Sequence, residues 1–221
     1  MRASPGGAWS LNTKPPMKLY LHPINPEARL VKQLADRLKQ GELLVLPTDT
    51  VYAFVTLAQS KDSVAQIQRI KDLPKNKALT LYCRDFSQMS TYVRMQGNQL
   101  FRFLKEILPG PYTLIFDAAK NLPHYAVTKQ NTVGIRIVEH PLIAALLDEV
   151  DLPLIGSSVD ADPADMHDFE ELADRYESRV DAVVHCGEVN AAYSTILDVR
   201  EWPPTLIREG AGAIPEGVHR V

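Results

Sequence analysis

Five short polar segments each interrupt or end an apolar run of strand length, and no other feature of the sequence constrains the fold as strongly. A sixth segment follows the last strand. Apolar runs of about 4 to 8 residues bounded by turn-forming residues are typical of buried strands. The sequence therefore predicts a sheet whose strands end in hydroxyl, carboxylate and cationic side chains. The segments are PTDTVY (47–52), KDLPKNK (71–77), TVGIR (132–136), GSSVD (156–160), STILD (194–198) and IREG (207–210).

Helical periodicity separates several of these strands. One helix follows Pro26 and is stopped by Gly41, because glycine accepts the left-handed conformation that ends many helices. Strands that alternate with helices indicate an α/β sheet, and the paired late strands indicate that it is mixed. Further helices are predicted at 63–70, 99–107, 141–150 and 169–178. Strands are predicted at 18–22, on both sides of the turn 47–50, and at 78–83, 112–116, 132–138, 154–158, 180–185, 195–199 and 206–208.

A chain of 221 residues with 45% hydrophobic residues is long enough for one substantial core. We expect one domain over residues 17–214, after a flexible lead at 1–16 and before a C-terminal tail at 215–221. The lead has no apolar stretch like that of a secretory signal. Apolar runs elsewhere are far shorter than the roughly 18–20 residues that span a bilayer, so no membrane partner is predicted.

Several classes of function lack their sequence signatures. The chain contains no GxxxxGK[ST], GxGxxG, GxSxG or HExxH motif. Its two cysteines, Cys83 and Cys186, form no CxxC pair and its six histidines show no ligand spacing, so we predict neither a metal site nor a disulfide. A reducing, cytoplasmic location fits this use of cysteine. The net charge of −3 does not suggest a general nucleic-acid coat.

The polar segments have two interpretations. In open α/β sheets, ligands bind in the crevice at strand ends, so segments that converge there would form one site. Alternatively, Ser, Thr and Asp form turns and cap helices without any ligand. For a single segment the second interpretation is favoured, whereas for all of them together the first is favoured.

The segment from Arg69 to Arg84 is basic, with one acidic residue, Asp72. Lysine suits a polyphosphate as a flexible point charge, and arginine adds a rigid fork of donors. The alternative is a solvated loop with no ligand. The five basic residues are Arg69, Lys71, Lys75, Lys77 and Arg84.

Taken together, these segments resemble the signature of the YrdC-like family, whose best-known members are threonylcarbamoyl-AMP synthases. The matching residues keep their order and spacing from about residue 18 to 213. The resemblance implies an α/β (α+β) fold, with a twisted mixed β-sheet flanked by helices around a large concave site. The matching stretches are Pro47–Ala53, Lys71–Pro74, Pro109–Thr113, Val133–Pro141, Ser158–Asp160, Ser194–Asp198 and Arg208–Gly210.

The resemblance also implies an activity and a site. The family's reaction joins L-threonine, bicarbonate and ATP, which carries Mg²⁺, into threonylcarbamoyl-AMP and pyrophosphate, for a modification of tRNA. It needs no catalytic side-chain nucleophile. By this resemblance, ATP is bound by Lys71, Thr132, Asp160 and Arg208. Threonine is bound by Thr48, Thr50, Tyr52, Arg136, Ser158 and Ser194. Contacts to phosphate or RNA would come from Arg69, Lys75, Lys77 and Arg84.

Several positions depart from the family pattern. Leu73 replaces an arginine, Tyr82 a histidine, Asp160 an asparagine and Ala53 a glycine. A carboxylate at position 160 repels a triphosphate unless it binds a cation. This combination resembles the YciO-type branch of the family, and it puts synthase activity in question.

Three functions remain open on the sequence. One is an enzyme that makes threonylcarbamoyl-AMP or acts on that adenylate, a nucleotidyltransferase of the synthase kind. The second is a binder of double-stranded RNA or tRNA without synthase activity, for which affinity would fall steeply with salt. The third is a regulatory protein that binds a nucleotide without turnover.

Overall fold

In a computed structural model of the protein, the described residues are 17–74, 77–95, 97–160, 166, 168–190 and 192–220. They form a mixed α/β structure, as the alternation of strand and helix patterns predicts. One sheet runs through the molecule in the order β1-β9-β2-β3-β8-β4-β7-β6-β10-β11-β12, and β5 pairs with β6 at the side. No helix in the described part of the chain is long and apolar enough to cross a membrane.

The sheet mixes both strand directions. Its strands are β1 Met17–Tyr20, β2 Leu44–Leu46, β3 Ala53–Leu57, β4 Thr80–Tyr82, β5 Val93–Arg94, β6 Tyr112–Ala118, β7 Thr132–Arg136, β8 Leu154–Ser158, β9 Ala182–His185, β10 Thr195–Asp198, β11 Thr205–Arg208 and β12 His219–Arg220. The β4–β7 and β6–β10 pairs are parallel, whereas the β8–β4 and β7–β6 pairs are antiparallel.

The helices lie close to their predicted positions. They are α1 Ala28–Lys39, α2 Lys61–Ile70, α3 Phe86–Ser90, α4 Asn98–Ile107, α5 Pro141–Val150 and α6 Phe169–Tyr176. Gly41 has φ +83° and its N–H binds the Leu38 carbonyl, as expected of a glycine that stops a helix. Helix α5 has the predicted bounds because His140 caps its first turn and Pro141 fits its first position.

The structure differs from the predicted elements at a few places. The strand predicted at 132–138 ends at Arg136, because the chain then turns so that the Glu139 N–H can bind the Asp49 carboxylate. Helix α3 was not predicted, although the Asp85 side chain caps it. At the C-terminus, His219–Arg220 pair with β11 as a short edge strand.

Two apolar cores lie on opposite faces of the sheet. Helices α2, α4 and α6 bury one face with residues such as Phe54, Leu81 and Phe116. Helices α1 and α5 bury the other face over β9, β2, β3 and part of β8, where Leu46 and Leu154 lie. Beyond those strands the second face opens. Several residues of β4, β6, β7 and β10 on this face are half-buried: Thr80, Thr113, Ile115, Gly134 and Ile196.

Candidate functional site

The open part of the second sheet face, which we call the open face, is built from strand segments that lie far apart in sequence. Thr80 of β4 is paired with Gly156 of β8. On the other side of β4, Gly134 of β7 is paired with Ile115 of β6. Side chains of directly paired residues point to the same face. The register therefore places one isoleucine and several small residues on the floor of the open face.

The loop 47–52, between β2 and β3, borders this floor and is held by its own threonines. The Thr48 hydroxyl donates to the Val51 carbonyl over 2.7 Å and lies 2.9 Å from the Thr50 hydroxyl. Both threonines are buried, with 1% and 0% of their surface exposed. The sequence predicts that these two side chains bind threonine. In the structure their hydroxyls bond within the loop and, for Thr50, to Arg136.

Arg136, at the end of β7, is held by this loop. Its guanidinium donates to the Thr50 hydroxyl over 3.0 Å and forms an ion pair with Asp49. Both side chains of the pair are less than 10% exposed, and Arg136 Nε is buried without a hydrogen-bond partner among the described residues. Because the ion pair neutralises the guanidinium, a buried charge is tolerated here.

Tyr82 packs beside Arg136. The ring centre lies 5.8 Å from the guanidinium carbon, and the hydroxyl lies over Gly156, where an added Cβ would be 3.3 Å from it. Burial raises the pKa of the Tyr82 hydroxyl, and the charge of Arg136 opposes this shift. Tyr82 is therefore a neutral phenol that fills one side of the open face.

A second polar group adjoins Arg136 on strands β6, β10 and β11. The Thr113 and Ser194 hydroxyls lie 2.8 Å apart. The Arg208 guanidinium donates through Nε and Nη2 to the Ser194 carbonyl, and its Nη1 has no partner among the described residues. Burial lowers the pKa of Arg208, Tyr193 raises it and the nearby charge of Arg136 lowers it. The strand register places both arginines at the same end of the open face.

A third polar group lies where β8 ends. The Lys71 ammonium, at the C-terminal end of α2, donates to the Ser158 carbonyl and forms a 2.6 Å ion pair with Asp160. Only 7% of the Lys71 side chain is exposed, against 63% for Asp160. The Val159 N–H donates to the Tyr52 carbonyl over 3.0 Å, which joins this group to the loop 47–52.

Two residues expected in the site lie away from Arg136, Tyr52 on the opposite face and Thr132 at the end of the open face that is level with Ser158. Tyr52 is 2% exposed and packs in the core on the opposite face, with its ring 6.4 Å from that of Phe169. Its pKa is raised by burial. Thr132 lies on the open face but at the far end of β7, about 13 Å along the strand from Arg136 at roughly 3.3 Å per residue. Its hydroxyl is 2.7 Å from that of Thr128.

The basic residues of the segment 69–84 do not form one patch. The Arg69 side chain donates to Ala65 of its own helix, and Lys77 is exposed before β4. Arg84 lies beyond the other end of β4 and is surrounded by Asp85, Asp148 and Asp151. Lys75, the remaining candidate, lies outside the described residues.

The sequence reasoning missed two residues of the site. Asp49 lies inside the segment PTDTVY and Thr113 inside the segment PGPYT, but neither was assigned a role. The available signal for Asp49 was a carboxylate between two threonines in a turn. Its partner, Arg136, lies 87 residues away in the sequence. The described residues contain no group of three or more His, Cys, Asp or Glu side chains that could hold a metal ion.

Comparison with known proteins gives a family model, described as Sua5_yciO_yrdC, telomere recombination, that matches residues 36–210. An uncharacterized protein of Haemophilus influenzae is 35% identical over 198 residues, which are 88% of this chain and 95% of that protein. The uncharacterized protein YciO of Escherichia coli is 34% identical over 198 residues, 88% of this chain and 96% of YciO. Its crystal structure superimposes with a TM-score of 0.85 over 92% of this chain and 100% of that one.

More distant similarity reaches proteins with a named activity. A threonylcarbamoyl-AMP synthase of Pyrococcus abyssi is 24% identical over 191 residues, which are 84% of this chain and 55% of that protein. The structure of P. abyssi Sua5 in complex with L-threonine gives a TM-score of 0.77 at 22% identity, over 88% of this chain and 57% of that one. At this level of identity the superposition shows a shared fold.

Proposed function

Because the chain belongs to the Sua5/YciO/YrdC family, we propose that its open face binds L-threonine and an adenine nucleotide and catalyses a reaction of threonylcarbamoyl-AMP. That reaction is either the synthesis from threonine, bicarbonate and ATP or a step that starts from the adenylate itself. One observation carries the proposal. The strand register brings Arg136, Ser194 and Arg208, from three separate segments, to one end of the open face beside the Thr113 hydroxyl.

The chemistry of this group suits an anionic ligand. The Arg208 Nη1 group has no protein partner among the described residues, and the adjacent hydroxyls of Thr113 and Ser194 can donate or accept. Hydrogen bonds from arginine to a carboxylate or phosphate oxygen are the stronger, charge-assisted kind. Arg208 is therefore the proposed contact for the threonine carboxylate or the α-phosphoryl group.

In the synthetic direction the reaction needs no protein nucleophile. The threonine amine and bicarbonate combine to a carbamate and water, a carbamate oxygen attacks the α-phosphorus, and the bond to the leaving pyrophosphate breaks. The protein's part is to hold the reactants in line and to stabilise the charge on the phosphoryl oxygens. Mg²⁺ is proposed only as an ion carried by ATP, since Mg²⁺ usually binds the phosphates of a nucleotide together with one or two carboxylates.

Pyrophosphate release from ATP and bicarbonate, with and without L-threonine, tests the synthetic direction. Conversion of threonylcarbamoyl-AMP to AMP tests the other direction. We expect Arg208→Gln to reduce either activity at least tenfold. The matched control is Arg102→Gln, which removes an exposed arginine of α4 and should leave the activity unchanged. If wild type shows neither reaction and binds neither threonine nor AMP, the proposal is wrong.

Binding of double-stranded RNA, the alternative function, finds less support. It would use the basic segment 69–84, yet three carboxylates neutralise Arg84 at the opposite end of β4 from Lys77. A steep fall of RNA affinity with salt, together with no loss of affinity in Arg208→Gln, would favour RNA binding instead.

A further inference from the structure

The open face has Arg136 and Arg208 at one end, and the Lys71 ammonium at the other end, where β8 reaches Ser158. These cations differ in whether a carboxylate already neutralises them. Arg136 is paired with Asp49, and Lys71 is paired with Asp160 over 2.6 Å. Arg208 donates to the carbonyl and hydroxyl of Ser194, and its guanidinium carbon lies 5.4 Å from the centre of the Tyr193 ring. Among the described residues, no carboxylate lies within ion-pair distance of Arg208. The three cations therefore leave one uncompensated positive charge.

The two paired cations are also the two that are hardest to reach. The side chains of Arg136 and Lys71 are each 7% exposed, and the Lys71 ammonium uses two of its three N–H donors on Ser158 and Asp160. Arg208, by contrast, is exposed. An incoming polyphosphate would reach Lys71 only by displacing Asp160, and it would then lie next to a free carboxylate.

We infer that Asp160, together with Asp49, makes the open face select ligands of low negative charge over nucleoside triphosphates. The ligand that fits carries one phosphoryl group in a diester or acyl-phosphate linkage, as an acyl adenylate does. This inference rests on the proposed function, because it assumes that the open face is the nucleotide site. Asp160 is thereby a specificity-determining residue, and within the proposed function it favours reactions that start from the adenylate.

The carboxylate of Asp160 can be removed without disturbing the core. Asp160 is largely exposed and Asp160→Asn keeps the size of the side chain, so the variant should fold. In the variant the Lys71 ammonium keeps its bond to the Ser158 carbonyl but loses its counter-charge. The open face then presents two uncompensated cations. Asp36→Asn, on the exposed side of α1, is the matched control for the change in total charge.

The experiment is calorimetric binding of AMP, ADP and ATP at fixed ionic strength in EDTA, with inorganic phosphate and tripolyphosphate measured in parallel. Wild type is expected to bind ATP no more tightly than AMP. Asp160→Asn should bind ATP and tripolyphosphate at least tenfold more tightly than wild type, with less than a threefold change for AMP. Asp36→Asn should behave as wild type, and Lys71→Met/Asp160→Asn should lose the gain.

Two results overturn the inference. One is a wild type that already prefers ATP to AMP by tenfold or more. The other is Asp160→Asn with no gain for tripolyphosphate, or a gain that Asp36→Asn reproduces. Failure of the proposed function gives a different pattern, in which neither protein binds AMP or threonine. A gain for tripolyphosphate in Asp160→Asn would even then support the selection by charge.

Discussion

At the scale of single residues, the same kind of ion pair occurs in two environments. Arg136–Asp49 is buried, whereas in Lys71–Asp160 the carboxylate is exposed to solvent. Breaking a buried pair leaves an uncompensated charge in a medium that solvates it poorly, whereas an exposed carboxylate is solvated with or without its partner.

We therefore expect Asp49→Asn to lower the free energy of unfolding by about 3–5 kcal/mol. Asp160→Asn should lower it by less, because the lost carboxylate is exposed and the buried Lys71 ammonium keeps its bond to the Ser158 carbonyl. Urea denaturation of the two variants beside wild type measures the difference. Equal losses in both variants would contradict the assignment of Arg136–Asp49 as a buried pair that holds the loop 47–52.

His140 is a buried titratable group at the start of α5. Its Nδ1 accepts from the Leu142 N–H at the start of α5. Burial lowers the pKa of its imidazole, while the charge of Asp49 and a hydrogen bond to the Cys186 backbone raise it. The net direction is downward, so the folded protein favours neutral His140.

Because the folded pKa lies below the unfolded value of about 6.5, the unfolded chain binds more protons between the two values. The contribution of His140 to stability is complete above about pH 6.5 and is lost as the pH falls towards the folded pKa. The slope from this one proton is at most about 1.4 kcal/mol per pH unit. His140→Asn, which keeps a capping side chain, should flatten the dependence of urea stability on pH between 7 and 5. An unchanged slope would contradict the prediction.

At the scale of elements, two glycines of the open face have different constraints. A Cβ at Gly156 of β8 would overlap the Phe54 carbonyl oxygen of β3, whereas a Cβ at Gly134 of β7 would lie 3.5 Å from a Thr113 methyl group. The second distance is an ordinary contact. Gly156 is thus required by the close approach of β3 and β8.

Gly156→Ala is expected to lower the free energy of unfolding by about 1–3 kcal/mol, the usual cost of overpacking. Gly134→Ala should be tolerated with a smaller change, and urea denaturation compares the two. A Gly134→Ala variant that is the less stable of the pair would contradict the assigned register of β8 and β7.

The helices and strands show which features of the structure can be predicted from local sequence. Helix α5 was predicted from residue 141 to residue 150 because its apolar spacing and Pro141 are local signals. The positions of Tyr52 and Asp160 were harder to predict from the sequence. Strand alternation does not say which face Tyr52 enters, and Lys71 and Asp160 are 89 residues apart. The convergence of the segments was predictable, but the pairing of each cation was not, since it depends on register and side-chain reach.

At the scale of the whole molecule, one sheet carries both apolar cores. Cys83 belongs to the core beneath α2, α4 and α6, and Cys186 to the core beneath α1 and α5. Burial raises the pKa of the Cys83 thiol to about 12 and that of Cys186 to about 11, with smaller contributions from Asp85 and Glu27 respectively. Each thiol is therefore unreactive while its core is folded, and its reaction with a reagent reports the opening of that core.

In native protein at pH 8, we expect neither thiol to react with an aromatic disulfide reagent within minutes, since reaction requires the thiolate. In rising urea, Cys83→Ser and Cys186→Ser should each expose their remaining thiol. In each variant, the urea midpoint of thiol labelling should equal the midpoint of that variant's far-UV circular dichroism transition, because the shared sheet couples both cores. Labelling of one thiol well before the loss of circular dichroism would indicate that its core opens independently.

The order of the strands also has a consequence for synthesis of the protein on the ribosome. The open face takes residues from β4, β6, β7, β8, β10 and β11, which occur along the chain from Thr80 to Arg208. A growing chain that has passed β8 still lacks Ser194 and Arg208. The open face is therefore complete only after nearly all of the sheet has emerged, and the ligand that we propose for it can guide only the last stage of folding.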